Sequence, residues 1–586
     1  MAAPAGTTTQ PTDRDLASMH EARTLARAAR RAQEQLAELS QVQIDAIVEA
    51  MAEAVTPHAE ALARLAVEET GYGVVADKVQ KNLFASVRVR EFIRPMKTVG
   101  VVARHDDTRV VDIAEPFGVV AAVVPSTNPT STAIYKALIA VKARCAIVVS
   151  PHPSAARCIT RTMEILAEAA TRAGAPESTL GWMRTVTLEG TQELMRQREV
   201  AVILATGGMG LVRAAYSAGK PAYGVGPGNA PCYIERTADI RKAVSDIVTG
   251  KTFDNGVLCS SPNSVVVDES IAEEVRREFT AQGCAFLDEA ACGKLATTLV
   301  TAQRLPNPKL VGKSAAHIAR EVGLAVPDGT RVLIAPLSGV GRDFPLSIEK
   351  LCPVLSFYVV KDWHEGCERC KQILRYGGMG HTMSIHSNTE AIILEFGLKK
   401  PAFRICVNTP TTHGSIGLTT GLAPAMTLGC GGWGGNSTSD NITPMHLLNI
   451  KRLAYELRPA TAVLAPRPTA QPAVSGPSRL PTSLVRPYAH GVPAAALSSR
   501  IDQFLASRGL QGTPGQAAAA APSPSPSPDS TVPVSFVCED DVRTALKAGR
   551  SILIHDRTIV TPAARELGDE HRVLVNTGGP PAPLAS

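Results

Sequence analysis

Nowhere do the 586 residues hold an apolar run long enough to cross a membrane. The longest stretches, such as Gly118-Val-Val-Ala-Ala-Val-Val124, fall far short of the ~18 residues a span needs. The opening MAAPAGTTTQPTDRD has neither a basic start nor an apolar core, so it does not read as a secretory signal. A dominant charge of one sign is missing too. Sixty Lys and Arg against 54 Asp and Glu leave +6, which gives no electrostatic case for nucleic acid or an acidic membrane surface as partner. Cysteine is ordinary in number, twelve, and scattered without a framework. That excludes a disulfide scaffold and points to free thiols in a reducing cytoplasm. No internal repeat is evident. With 45% apolar and 19% charged residues, most of the chain is globular, and its length supports a large core.

The first hundred residues read as helices. Ser40 with Gln43 makes a capping box ahead of Ile47, Val48, Met51 and Val55, spaced for one helical face. Thr56-Pro57 reads as an N-cap and first-turn proline of a helix carrying Leu62, Leu65 and Ala66 and stopping near Gly71. Arg27, Arg30 and Arg31 read as an exposed helix face. From about residue 100 short β-branched runs alternate with helical stretches. Strands are expected at Val119–Val124, Ala146–Val149, Ala201–Leu204 and Ser264–Val267, with helices at Thr132–Lys142, Gly210–Ala218 and Ile271–Gln282 between and after them. Strand, helix, strand at this spacing predicts a parallel α/β architecture with right-handed crossovers.

The composition breaks at Pro459. Fourteen prolines fall in the 75 residues 459–533, including Ala521-Pro-Ser-Pro-Ser-Pro-Ser-Pro528. Such a stretch cannot pack a core and predicts extended linkers at 459–492 and 511–533, in a largely disordered tail. Between them, 493–510 has Leu497, Ile501, Phe504 and Leu505 at helical spacing, an amphipathic helix. Apolar alternation returns in a small segment, 534–577.

Chemistry concentrates in a few turns. In Phe253-Asp-Asn-Gly-Val-Leu-Cys-Ser260 a cysteine follows a Gly turn and precedes a strand, a place that can present a thiolate at the top of a sheet, although a lone cysteine is more often a small buried hydrophobe. Asn128, between a strand and a helix, could donate to an oxyanion or merely cap the helix. Ala205-Thr-Gly-Gly-Met-Gly210 also follows a strand and opens a helix, where backbone N–H groups can meet a phosphate. Cys367-Glu-Arg-Cys370 has CxxC spacing but no second pair, so no metal site is expected and a solvated helix is the better reading.

Taken in order, the Asn128-Pro turn, Thr206-Gly-Gly208, Gly224-Val-Gly-Pro-Gly-Asn229, Cys259 and Glu349-Lys-Leu-Cys-Pro-Val354 resemble the aldehyde dehydrogenase superfamily. The resemblance narrows with Glu115-Pro-Phe-Gly-Val-Val120, Ser150-Pro-His-Pro153, Tyr376-Gly-Gly-Met-Gly-His-Thr382 and Thr427-Leu-Gly-Cys-Gly-Gly-Trp-Gly-Gly-Asn-Ser437. These look like the CoA-acylating branch, in particular the aldehyde dehydrogenase half of bifunctional aldehyde–alcohol dehydrogenases, over roughly residues 20–455. No iron-type alcohol dehydrogenase domain is expected to follow.

The resemblance implies a Rossmann-like cofactor-binding domain (1–231, with an oligomerisation hairpin at 98–117), a catalytic domain (232–430), and a return to the cofactor and oligomerisation region (431–458). It implies Cys259 as nucleophile, Asn128 with the Cys259 N–H as oxyanion donors, and His381 as a base for a thiol proton, with His413 a weaker alternative. It implies Ser150, Pro151, Thr206, Gly207, Gly208, Gly226, Gly228 and Glu349 against the dinucleotide. Cofactors would be NAD and coenzyme A, the substrate a short aliphatic aldehyde such as acetaldehyde or propionaldehyde, and the assembly a homodimer or homotetramer. Hydrolytic relatives carry a water-activating Glu where Val225 stands here, and a valine cannot be a general base. The acyl-enzyme should therefore wait for the CoA thiol. A hydrolytic enzyme and a catalytically degraded scaffold are the competing readings; Val225 argues against the first, and the intact Cys259, Asn128 and Glu349 against the second.

In the tail, Phe536-Val-Cys-Glu-Asp-Asp-Val-Arg543 and Ile559-Val-Thr-Pro-Ala-Ala-Arg-Glu-Leu567 look like a segment found in bacterial microcompartment proteins, and 493–510 is similar to encapsulation helices of cargo enzymes. That implies shell or cargo proteins as partners and a place inside a microcompartment in the cytoplasm.

Overall fold

The computed structural model describes residues 13–460, 534, 536–555 and 558–576. The chain divides into two units, Met1–Arg467 and Pro468–Ser586. The expected helix at 493–510 and the linkers beside it lie outside the described residues, apart from 459 and 460.

The first unit opens with helices. Helix Gln41–Val55 has the expected capping box: Ser40 N–H donates to Gln43 Oε1 at 3.0 Å, and Gln43 N–H to Ser40 Oγ at 3.4 Å. Its apolar face, Ile44, Ile47, Val48, Met51 and Val55, is buried. The expected helix start at Thr56 is corrected. Thr56 donates its hydroxyl back to the Ala52 carbonyl at 2.7 Å, so it closes the preceding helix. A 3-10 turn, Thr56–His58, leads into helix Ala59–Thr70, which Gly71 ends in the left-handed conformation (φ 69°).

Three sheets follow. Strands β1 (Gly100–His105) and β2 (Val110–Pro116) form an antiparallel hairpin. The late strand β15 (Leu448–Ala454) pairs on the other side of β2, so the expected strand pair is a three-stranded sheet. A five-stranded sheet contains β3 (Val119–Val124), β4 (Ala146–Pro151), β5 (Leu180–Trp182), β6 (Val200–Thr206) and β7 (Ala222–Val225). All its pairs are parallel and its order is β5-β4-β3-β6-β7. Helices cover both faces, which is why β3 and β4 are buried throughout and read as unbroken apolar runs.

A second parallel sheet of seven strands contains β8 (Ala230–Ile234), β9 (Pro262–Asp268), β10 (Cys284–Phe286), β11 (Val332–Pro336), β12 (Val354–Val360), β13 (Gly380–His386) and β14 (Ala402–Val407). Its order is β10-β11-β12-β9-β8-β13-β14. The boundary expected at 231/232 falls inside β8, so the second sheet starts at Ala230.

In the five-stranded sheet the chain turns from one direction of growth to the other between β3 and β6. A doubly wound sheet opens its ligand crevice at that switch point, beyond the carboxyl ends of the strands. Here those ends carry Pro125–Asn128 and Thr206–Gly208.

The second unit contains two successive strand–helix–strand passages. The first is β16 (Phe536–Val537), helix Glu539–Lys547 and β17 (Ile552–Ile554); the second is β18 (Ile559–Val560), helix Pro562–Glu570 and β19 (Leu574–Asn576). Equivalent strands pair in parallel, β16 with β18 and β17 with β19. This is a repeat of structure that the sequence reading missed, because the two passages share a pattern of elements and few residues. Val537, Val542, Ala545, Ile554, Ala564 and Val573 form its core. Among the described residues no helix is long and apolar enough to cross a membrane.

Candidate active site

A cavity of about 460 Å³ opens at the switch point. Its wall brings together Asn128 from the β3 turn, Ser150 and Pro151 from β4, Thr206, Gly207 and Gly208 from β6, Val225 and Gly226 from β7, and Cys259 and Glu349 from the second sheet's loops. These residues lie up to 221 positions apart, and the two sheets meet around them.

Cys259 stands behind an unusual turn. Asp254 (φ 50°), Asn255 (φ 52°) and Gly256 (φ 73°) are successive left-handed residues, which ball the chain up between helix Ile240–Thr252 and β9. Leu258 is buried as the anchor, and Cys259 keeps partial exposure on the cavity wall. Gly228 is the floor beneath it: a Cβ there would lie 2.1 Å from the Cys259 carbonyl oxygen, so only glycine lets the two loops touch. Gly228 thus packs against the Cys259 loop; it lies off this cavity's wall and lines a neighbouring cavity that shares Gly226 and Glu349 with it. Burial pushes the Cys259 thiol up to about 12; Glu349 and Cys430 add to this, and Arg404 opposes it.

Glu349 accepts a hydrogen bond from the Gly228 N–H at 3.0 Å. Burial raises its carboxyl to about 8, against the opposing pull of that N–H and of Lys251 and Lys350.

Asn128 begins helix Pro129–Lys142, yet its side chain makes no capping bond. Its Oδ1 instead accepts from Lys81 Nζ at 2.7 Å, and its Nδ2 donates to Thr127 Oγ1 at 3.2 Å. Behind it lies a buried ionic cluster that the sequence reading missed. Lys78 Nζ lies 2.9 Å from Asp254 Oδ2, and Lys81 Nζ bonds the same oxygen. Burial pushes Lys81 down to about 7, with Asp254 pulling the other way. Asp77-Lys-Val-Gln-Lys81 has the composition of a solvated helix, and no local signal shows that both lysines are only 2% exposed.

The fit to a dinucleotide rests on this wall. Thr206 Oγ1 is buried with no hydrogen-bond partner, as expected of a group that awaits a ligand. Nothing lies within 4 Å of a Cβ built on Gly208, and helix Met209–Tyr216 begins there with its free N–H groups. The Ser150 hydroxyl is bonded to Thr191 Oγ1 at 2.8 Å.

His381 is off the wall of this cavity and fully buried against Gly228. Its Nδ1 bonds Thr382 Oγ1 at 2.9 Å and its Nε2 has no partner. Burial, with Arg404 beside it, pushes its pKa down to about 3, so the ring is neutral. His413 packs on the Phe253 ring at 4.6 Å, also off the wall. Cys367 and Cys370 do not lie on a solvated face. They belong to the buried face of helix Trp363–Tyr376, where Lys400 Nζ donates to Cys367 Sγ at 2.6 Å; the helix's charged residues lie on its outer side and hid this from the sequence. Among the described residues no group of three His, Cys, Asp or Glu could hold a metal ion.

A switch-point crevice with a cysteine in its wall has the make-up of an oxidoreductase. The aldehyde dehydrogenase family model matches residues 2–286. The chain is 42% identical over 430 residues to the bifunctional aldehyde-alcohol dehydrogenase AdhE of Escherichia coli, covering 72% of this chain and 48% of that one. It thus spans about half the length of that relative. It superposes on the crystal structure of an acetylating aldehyde dehydrogenase from Geobacillus thermoglucosidasius with a TM-score of 0.75 and 50% identity, over 76% of this chain and 99% of that one. A propionaldehyde dehydrogenase from the fucose utilisation microcompartment of Clostridium phytofermentans gives a TM-score of 0.67 at 28% identity, over 74% and 97%. The chain belongs to the aldehyde dehydrogenase family, in its acylating branch.

Proposed function

We propose that the protein oxidises a short aliphatic aldehyde, acetaldehyde or propionaldehyde, with NAD and coenzyme A to acyl-CoA and NADH. The observation that carries this reading is Val225. It lies 2% exposed on the cavity wall, near the position where the family resemblance puts the water-activating Glu of hydrolytic enzymes, and the one carboxylate of the wall, Glu349, is held by the Gly228 N–H. The dinucleotide, held by Thr206, Gly207, Gly208, Gly226, Ser150 and Pro151, supplies a hydride acceptor. Cys259 attacks the aldehyde carbon, while the Asn128 amide and the Cys259 N–H hold the oxyanion. The valine at 225 offers the thioester that remains on Cys259 no carboxylate to activate water. The CoA thiol then displaces Cys259 in the second half of a ping-pong reaction.

For the thiol proton in that half we propose His381, whose Nε2 has no hydrogen-bond partner. A pKa near 3 means it holds the proton only in passing. His381→Ala should slow CoA-dependent release and spare the first NADH. If release is intact, His413, packed on the Phe253 ring, is the remaining candidate.

The test is turnover with and without CoA. We expect one NADH per site and a stall without CoA, and steady turnover with it. Cys259→Ala should abolish both. Steady NADH with free acid in CoA-free buffer overturns the acylating reading.

We further propose a homodimer or homotetramer built through the β1-β2-β15 sheet, whose outer strands would otherwise leave open edges; a monomer by light scattering at micromolar concentration refutes it. The tail's resemblance to microcompartment proteins supports confinement with shell or cargo partners inside the cytoplasm. Residues 490–512 fused to a fluorescent protein should then colocalise with shells, and targeting that survives deletion of 459–586 rules the segment out as the address.

A further inference from the structure

The cluster beneath the oxyanion donor has a role of its own. Helix Val75–Leu83 sends two lysines, one turn apart, between the two loops that make the site. Lys78 Nζ donates to the Thr127 carbonyl at 3.1 Å and to Asp254 Oδ2 at 2.9 Å. Lys81 Nζ donates to Asn128 Oδ1 at 2.7 Å and to the same Asp254 oxygen. The other Asp254 oxygen accepts the Val74 N–H at 2.7 Å, and the Asp254 N–H donates to Asp77 Oδ2 at 2.7 Å. One helix therefore grips the turn carrying Asn128 and the turn that leads, five residues later, to Cys259.

The consequence follows from donor and acceptor inventories. An Asn amide has one acceptor end and one donor end of nearly equal shape, so packing alone fixes its orientation poorly. A protonated lysine has donors only. Once protonated, as it is below about pH 7, Lys81 can accommodate only the oxygen end of Asn128, so the NH₂ end must face away from it. One N–H of that end reaches Thr127 Oγ1, and the other is left to an oxyanion in the cavity. With the amide reversed, its oxygen would face the developing negative charge and repel it. In a water-poor interior the cation also polarises the amide and strengthens the N–H it offers.

We infer that Lys81 is a positioning residue of the reaction, acting through Asn128 to fix which end of its amide meets the oxyanion, with Asp254 and Lys78 holding Lys81 in place. The inference rests on Asn128 being the oxyanion donor, as proposed above. Lys81 touches neither thiol nor substrate, so its influence should appear in the acylation step and should vanish when Asn128 is gone.

The experiment is a double-mutant cycle on the full chain, read by the single-turnover NADH burst at saturating aldehyde and NAD without CoA. Asn128→Ala should slow the burst about 10²–10³-fold. Lys81→Met should slow it by ~30–300-fold, with the NAD concentration for half-saturation changed less than about threefold and the alkylation rate of Cys259 by iodoacetamide likewise, since the thiol stays in place. Lys81→Arg, which keeps a donor-only head, should recover most of the loss. In the Asn128→Ala background, Lys81→Met should cost less than about threefold more. Should Lys81→Met fail to fold, Lys81→Gln takes its place: its amide fills space but accepts as well as donates, and the same loss is expected. A Lys81 variant within threefold of wild type, an equal loss with and without Asn128, or a parallel fall in Cys259 alkylation overturns the inference. A loss under tenfold in Asn128→Ala itself overturns the oxyanion reading instead, so the two failures are distinct.

Discussion

The free enzyme should be a reluctant nucleophile, and alkylation kinetics can measure how reluctant. Burial lifts the Cys259 thiol from its ordinary 9.0 to about 12, with Glu349 and Cys430 adding to it. Three pH units mean about a thousandfold less thiolate at neutral pH. The thiolate that does form is more basic and hence more reactive. With a Brønsted slope near ~0.45, three units return about twentyfold. The net expectation is alkylation by iodoacetamide about fiftyfold slower at pH 7 than for a thiol at its ordinary value. Only the thiolate reacts and its fraction rises as protons are removed, so the rate should climb tenfold per pH unit from pH 7 towards 10 without levelling.

The assay must resolve sites, because twelve cysteines are present. Timed alkylation with mass spectrometry of the Cys259 peptide does so. Cys538, partly exposed in the other unit, serves as internal comparison. A Cys259 rate that levels off below pH 9, or that exceeds that of Cys538 at pH 7, refutes the reasoning. It would mean that charges around the turn, Arg404 first among them, outweigh the cost of burial.

Four further outcomes are expected. Gly228→Ala puts a methyl group 2.1 Å from the Cys259 carbonyl and should cost about a hundredfold in kcat by shifting the nucleophile loop; near-normal activity would show that the loop can yield. Cys367→Ala should leave kcat unchanged and lower stability to urea by about 1–2 kcal/mol, because buried Lys400 loses its sulfur partner; a fall in kcat at full stability would tie the pair to catalysis. The carboxyl end of β4, Ser150-Pro-His-Pro153, brings no carboxylate to the cavity wall to repel a 2′-phosphate, so NADP should support turnover with a KM within about tenfold of that for NAD; absence of any NADP activity would contradict this. Removal of 468–586 should leave kcat within about twofold, since the chain divides there into two units; loss of catalysis would show that the tail completes the body.

The sequence alone determined what depends on neighbours along the chain. The capping box at Ser40 and the stop at Gly71 are set by groups within a few residues. The buried runs at β3 and β4 announce themselves because strands covered on both faces have no polar side to show. The chemistry-bearing turns could be picked out as well, Cys259, Asn128, Thr206 and Glu349 among them, since glycine-rich turns after strands leave a compositional mark. What only the tertiary structure decided is which distant residues surround them. Lys78 and Lys81 have nothing in their local sequence to mark them as buried, because their partner, Asp254, comes from more than 170 residues away. Asn128 could have been a helix cap until Lys81 took its oxygen. That Gly228 must lack a side chain is set by the Cys259 carbonyl, which comes from another loop. Cys367 and Cys370 passed for a solvated turn of helix because their sequence neighbours are charged, whereas burial is set by Lys400 and the elements packed against them. Local propensity acts over a few residues. The desolvation and hydrogen bonding that tune a site act through space, between groups the chain brings together only when it folds.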